Sequence, residues 1–333
     1  MKISASDNML KRFRHEFIIL AIIVALSIII GSINSQFYSI GNIYSLLKST
    51  VIMGLFALGS FLVLVSGDID ISFTAIGAFC MYVTSKLVLL IIPGAGIVVI
   101  MLVAGLIGIL LGFINAVFIS LLKMPGLIVT LGTGSMIRGF LLTFIGVRII
   151  NKLPDSMIAF SKITFLHKAQ ANGHIVGLSI GFVVFIAFAI LIYLILKYTV
   201  TGRAVYALGG DRVATARVGF NITKVQFFIY GTVGFLSGLA GVTHSSFMRN
   251  GNPFDLVGTE LSVIAAVVLG GTSITGGKGS VFGAVLGVFL LVLINNSLIM
   301  VGIPSYWQRA VVGIIILLST GSVALQERRS QGV

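Results

Sequence analysis

"KRFRHEFIILAIIVALSIIIGSINSQ", residues 11–36, sets a basic flank before an unbroken apolar run. Such a run is either a cleaved leader or a retained membrane helix, and the choice decides the class of the chain. The apolar part exceeds the ~7–15 residues of a leader and no A-x-A cleavage site follows it, so it is read as the first retained span. The rest of the chain supports that choice. Of its 333 residues 57% are hydrophobic and 9% charged, against roughly a quarter charged in soluble domains. The apolar runs persist over helix-spanning lengths, whereas an outer-membrane barrel needs short alternating strands. The expected fold is all-α: a polytopic membrane protein of about ten transmembrane helices with discontinuous Gly-rich segments.

Runs of about 20 apolar residues fall at 17–35, 44–65, 71–91, 97–121, 126–147, 176–196, 225–245, 259–270, 280–300 and 307–325. The eighth is too short to cross alone, and "LGGTSITGGKGS" interrupts it. This organisation leaves a tail at 1–16, a transmembrane domain at 17–325 and a tail at 326–333. Thirteen of the 22 Lys and Arg residues segregate with the two tails, Lys123, the 197–224 loop and Lys278; five lie on the other side. Basic residues concentrate in cytoplasmic loops, so both termini and the 197–224 loop are expected on the cytoplasmic side of the membrane. The same bias accounts for the net charge of +13 without nucleic acid. Cys80 is the one cysteine, which rules out an intrachain disulfide or a zinc framework. His167 and His174 share the 148–174 segment and read as solvated loop residues. No metal or cofactor is expected.

Within "LVLVSGDIDISF" (62–73), Asp68 and Asp70 stand in a break between two apolar runs. A metal-binding D-x-D of the glycosyltransferase kind would need a sizeable soluble domain, and the chain has none. A proton relay would be favoured by several ionisable groups inside spans, and only Lys48, Lys86, Arg138, Glu260 and Arg309 come close. Asp70 is expected to cap or brace the start of the third span, with direct substrate contact as the rival role; Asp68 is expected to be solvated. Amides and hydroxyls inside spans are candidates for a polar pathway or for interhelical hydrogen bonds. These are Asn115, Asn295, Asn296, Thr130, Thr133 and Ser135. The segment containing Gly270, Gly271, Thr272, Gly276 and Gly277 breaks a helix at membrane depth, which is tolerated only where protein buries it or water lines it. A translocation pathway or gate is therefore expected there. Its spacing does not fit the phosphate-binding G-x-x-x-x-G-K-[ST].

In "KYTVTGRAVYALGGDRVATARVGFNITK" (197–224), Asp211 can cap a short helix and Gly219 can close it in the left-handed conformation. Between them lie Arg212, Ala214, Ala216 and Arg217. The result is either a solvated surface helix or a docking knob. A weak echo between 111–139 and 286–313 is compatible with an internal duplication.

"TGRAVYALGGDRVATARVGFNITKVQ", "IAAVVLGGTSITGGKGSVFGAVLGV" and "LVSGDIDIS" together resemble the permease subunit of ribose-type sugar ABC importers, a family that also includes autoinducer-2 permeases. The resemblance runs from about Tyr44 to Leu317. It implies a subunit with no catalytic activity of its own, which passes a monosaccharide, ribose-like or related, across the membrane. It also implies a second permease subunit, a cytoplasmic ATP-binding-cassette ATPase and an extracytoplasmic sugar-binding protein. By position, Gly202–Asn221 matches the family's coupling segment, so Asp211, Arg212, Ala214, Ala216, Arg217 and Gly219 are expected to couple to the ATPase. Asp70 matches the aspartate of the family's G-G-I-D-L-S loop, while Asp68 stands where glycine is usual. The rival functions are an ion-coupled secondary transporter and a membrane-embedded enzyme, and the latter lacks any nucleophile–base or metal-ligand set in its spans.

Overall fold

The computed structural model describes residues 14–169 and 175–302, with scattered positions from 304 to 317. Its helices in chain order are α1 (Arg14–Ile33), α2 (Ile40–Val65), α3 (Phe73–Ile91), α4 (Ile97–Ala116), α5 (Gly126–Phe140) and α6 (Asp155–Lys162). After a hairpin of β1 (Thr164–Ala169) and β2 (Ile175–Ser179) come α7 (Ile180–Tyr198), α8 (Val200–Gly210), α9 (Arg212–Arg217), α10 (Ile222–Met248), α11 (Glu260–Leu269) and α12 (Val281–Met300). Wide π-type turns extend α4 to Leu121 and α5 to Ile145.

Eight of these helices, among the described residues, are long and apolar enough to cross a membrane. Most of the expected tenth span and all of the 326–333 tail lie outside the described residues, as do residues 1–13. The short eighth run is α11. Ten residues rise about 15 Å, half of a hydrocarbon core about 30 Å thick. The sixth expected span begins late, because Ile175–Ser179 is spent on the antiparallel hairpin (Thr164↔Ser179, Ala169↔Ile175), and Ser179 then caps α7 by accepting from the Gly181 amide. His167 is accordingly a strand residue, exposed to solvent and hydrogen-bonded to Thr164, rather than a loop residue, while His174 lies outside the described residues.

The bundle is built around α2 and α10. In each, 78% of the most apolar window is buried, against 17% for α1 and 28% for α4, α5 and α7. The outer helices turn apolar faces outward, as a bilayer requires. In lipid, burial of apolar surface gives little drive for helices to associate, so close backbone packing must supply it. Among the described residues the pairing of α4 with α10 is the most extensive. A Cβ placed on Gly108 would run into the Gly234 carbonyl oxygen, and one on Gly234 into the Gly108 carbonyl. Gly112 stands likewise against the Tyr230 carbonyl, and Gly238 against that of Ala104. The residues on each helix are four apart, one per turn along a single stripe.

This seam gives a direct test. Gly234→Leu should force backbone apart from backbone, a destabilisation at or above the upper end of the ~1–3 kcal/mol cost of overpacking. Gly132→Leu, where an added Cβ meets nothing within 4 Å, should stay within about 0.5 kcal/mol. Thermal unfolding in detergent, followed by size-exclusion chromatography, would compare the two. Equal melting points would remove the seam from its place as the organising contact.

Candidate functional site: a buried polar chain and an exposed capped helix

The turn after α2 is fixed by backbone bonds. Gly67 takes φ +84°, its amide reaches the Leu64 carbonyl, and the Asp68 amide reaches that of Val63. The chain then runs to Ser72, and Asp70 braces the start of α3. Its Oδ1 accepts from the Ser72 amide at 2.6 Å and the Ser72 hydroxyl at 2.7 Å. Ser72 Oγ in turn accepts from Asn115 Nδ2 at 2.7 Å, and Asn115 Oδ1 accepts from the Thr133 hydroxyl. Thr130 Oγ1 accepts from the Ile71 amide and donates to the Ile69 carbonyl. Asp70, Ser72, Asn115, Thr130 and Thr133 are all buried. Donation runs one way, from Thr133 through Asn115 and Ser72 to the carboxylate. Such bonds satisfy groups that would otherwise be stranded in an apolar interior. Asp70 Oδ2 is buried without a hydrogen-bond partner among the described residues. The Asp70 carboxyl, in the break between two spans, is pushed up to about 6 by burial, against the pull of the Ser72 bonds.

Asp68 departs from its expected place in solvent. Its carboxylate packs on the Gly126 backbone at the start of α5, and the Tyr230 hydroxyl of α10 approaches its Oδ2 at 3.4 Å. Burial pushes its pKa up, while the nearby Arg212 guanidinium opposes the shift. The turn at Gly67 aims residue 68 inward between helices, which the polarity of an isolated D-x-D did not disclose.

The Gly-rich loop also sits differently from its expected mid-depth place. Residues 270–280 reach the end of the bundle that carries α8 and α9: the Gly277 amide donates to the Val65 carbonyl at 2.8 Å, and Tyr206 of α8 donates to the Gly279 carbonyl. A Cβ on Gly209 would strike the Val65 carbonyl, and one on Gly276 would lie 2.7 Å from the Gly67 Cα. Here three backbone segments touch with no side chain between them. Gly270 packs on Gly283 at the α11–α12 corner, and Thr272 is buried. An irregular stretch, 249–259, precedes the short α11. It is tied by Glu260, whose carboxylate accepts from the Gly258 amide and the Thr74 hydroxyl, and by His244–Asp255 at 3.1 Å. Neither tie was marked by the sequence reading, because the partners lie far apart in the chain or in an unpatterned loop.

Asn295 and Asn296 lie half-buried on α12, which packs chiefly on α1, α2, α7 and α11 rather than on the helices that hold Asn115. Ser135 is exposed.

The 197–224 segment is a second region of interest. The Asp211 side chain accepts from the Val213 and Ala214 amides at 2.7 and 2.9 Å, and Gly219 takes φ +95°. Of α9 only Thr215 is buried; Arg212, Ala214, Ala216, Arg217 and Gly219 are exposed, as are Val213 and Val218. The two valines were overlooked in the sequence, since only the fold shows that they face outward.

A family model described as "Branched-chain amino acid transport system / permease component" matches residues 42–320. Among curated proteins, the chain is 35% identical to a ribose import permease protein of Haemophilus influenzae, over 96% of each chain. It is 31% identical to a probable ABC transporter permease protein of Escherichia coli, covering 94% of this chain and 91% of that one. A third relative is an autoinducer 2 import system permease protein of Salmonella typhi, 30% identical over 89% of this chain and 81% of its own. No solved structure gives a significant match. With one family model across most of its length and relatives similar from end to end, the chain belongs to this family of multi-pass permease components of transport systems.

Proposed function

We propose that the chain is the membrane-spanning subunit of an ATP-binding-cassette importer for a monosaccharide, ribose-like or related. A separate ATPase would drive it, and an extracytoplasmic binding protein would supply the ligand. The observation that carries this reading is the 35% identity to a ribose import permease protein over 96% of both chains. The exposed, doubly capped α9 supports the ATPase partner. Its ends are fixed by its own residues, its small Ala214 and Ala216 permit close approach, and Arg212 and Arg217 can meet acidic groups. The 30% identity to an autoinducer 2 permease keeps that sugar-like ligand as a second reading.

Transport through such a subunit follows from where its backbone is irregular. Gly258, Thr259 and Leu261 are exposed at the start of α11, a helix whose ten residues rise only about 15 Å and so start about halfway through a hydrocarbon core. Polar backbone there cannot face hydrocarbon, so it lines water or a second permease subunit. We place the pathway along 249–261 and α11, with the loop carrying Gly270, Gly271, Thr272, Gly276 and Gly277 as its cytoplasmic end. The Asp70–Asn115 chain would then be the rigid wall behind it. Asn295 and Asn296 remain candidates for the lining on α12.

Reconstitution with an ATPase and a binding protein tests the whole reading. Radiolabelled ribose should enter liposomes only with ATP and both partners present. Entry without the ATPase, driven by an ion gradient, would replace this function with secondary transport.

Orientation is checked by thiol labelling of intact cells. Cysteines placed at Ser6 and Thr201 should be shielded from an impermeant reagent, while one at Ala171 should react. Labelling of position 201 from outside would overturn the arrangement with cytoplasmic termini.

Coupling is checked at α9. Ala216→Glu adds a charge and volume to the proposed contact, at a cost of a few kcal/mol. Gly219→Val strains a left-handed residue. Expression should be normal, with ATPase association and uptake lost together. Intact binding and uptake in both variants would reduce α9 to a solvated linker.

A further inference from the structure

We propose that Asp68 is a positioning residue for energy coupling: it seats the turn after α2 between the start of α5 and the α9 segment, so that movement of α9 reaches the Gly-rich loop. The proposal rests on the importer reading above and adds a residue that α9 itself does not contain.

Three elements converge on this one carboxylate. Gly126 opens α5 and lies so close that a Cβ there would stand 2.6 Å from Asp68 Cγ. Tyr230 of α10 points its hydroxyl at Oδ2 across 3.4 Å. Arg212, the first residue of α9, bonds Gln226 of α10 at 3.4 Å and acts on Asp68 through its charge. Arg212 is thus anchored one turn of α10 from Tyr230, on the side facing the turn after α2. The other end of that turn is continuous with the glycine junction. Val65 accepts from Gly277, while Gly67 lies against both Gly209 and Gly276. A displacement of α8–α9 therefore meets the turn twice, at Gly209 through backbone and at Arg212 through charge. The turn has backbone contact with residues 276–277 to pass the displacement on. Asp68 prevents it from slipping sideways, because its side chain is held by helices on two sides. Neutral or absent, the side chain would leave the glycine contacts in place but free to slide.

The test uses the complete transporter in lipid nanodiscs or liposomes, with Cys80, which is buried, replaced by Ala. Two quantities are read: ribose carried per ATP hydrolysed, and the nucleotide-dependent change in labelling rate of an Ile274→Cys probe in the Gly-rich loop. The second does not depend on which sugar is carried. Asp68→Asn should lower the first about tenfold and abolish most of the second, with the purified complex still assembled. Asp68→Asn combined with Arg212→Gln should be no worse than the poorer single change.

Gly126→Ala provides a route that leaves Asp68 itself unchanged. Its new Cβ would displace the carboxylate, so it should reproduce the Asp68→Asn defect. In an Asp68→Gly background, where no carboxylate is left to displace, it should add nothing.

Asp68→Asn within twofold of wild type on both readouts would overturn the proposal. So would multiplicative effects of Asp68→Asn with Arg212→Gln, or of Asp68→Gly with Gly126→Ala. If Asp68→Asn fails to assemble, the Gly126 pair decides by the same criterion. An unmodified complex that shows no ATP-dependent uptake and no nucleotide response would instead count against the importer reading.

Discussion

The contact between the α4 and α10 backbones governs the rest of the architecture. Gly108 and Gly234 each occupy the space that the other's Cβ would need, and no other residue type satisfies both helices at once. Dispersion between two bare backbones replaces the hydrophobic drive that lipid does not supply. Because α10 is fixed there, its remaining faces become the surfaces on which α2 and α3 are laid. Gly241 meets the Gly77 carbonyl on α3, and Val233 packs on Gly59 of α2. Part of the chain's glycine content, 40 in 333, is thus a record of such approaches, at Gly108, Gly112, Gly234, Gly238 and Gly241.

A different use of glycine marks the proposed cytoplasmic end. At Gly67, Gly209 and Gly276 the close approach joins segments that are not parallel helices but turns and helix ends. Interfaces of this kind have few side chains to interlock, so they transmit push while resisting shear poorly. Polar and charged groups alongside must supply the lateral restraint. That division between backbone contact and a neighbouring charge is why Asp68 and Arg212 merit experiments of their own.

Much of this was legible in the linear chain. Apolar run lengths gave the helices, because a bilayer imposes one length scale on all of them. Asp211 and Gly219 announced their caps, because capping is a contact between near neighbours in sequence. Asp70 as the brace of α3 was legible for the same reason, its partner being two residues away. Asp68 was not, since its neighbours Gly126, Arg212 and Tyr230 are brought to it only by helix packing. The Glu260–Thr74 tie spans 186 residues and leaves no local pattern. The second strand of the hairpin, β2, was largely absorbed into the apolar run at 176–196, because "IVGLS" is apolar enough to pass for the start of a helix. The depth of the Gly-rich loop was misjudged for a related reason: composition shows that a helix is broken but not at which end of a crossing.

The direction of the hydrogen-bond chain ending on Asp70 bears on how the protein is made. Synthesis runs from the N-terminus, so α3, α4 and α5 exist before α10 has been translated. All the bonds linking Asp70, Ser72, Asn115 and Thr133 lie within residues 70–133. They can close as soon as the fifth helix enters the bilayer, which shelters three helices' worth of polar groups from lipid while the Gly234 stripe is still on the ribosome. Asp68 is only partly sheltered at that stage, by the Gly126 backbone that opens α5. Its tyrosine and arginine neighbours arrive about a hundred and fifty residues later, so the nascent chain carries one acidic side chain whose surroundings are completed only once α10 has been made.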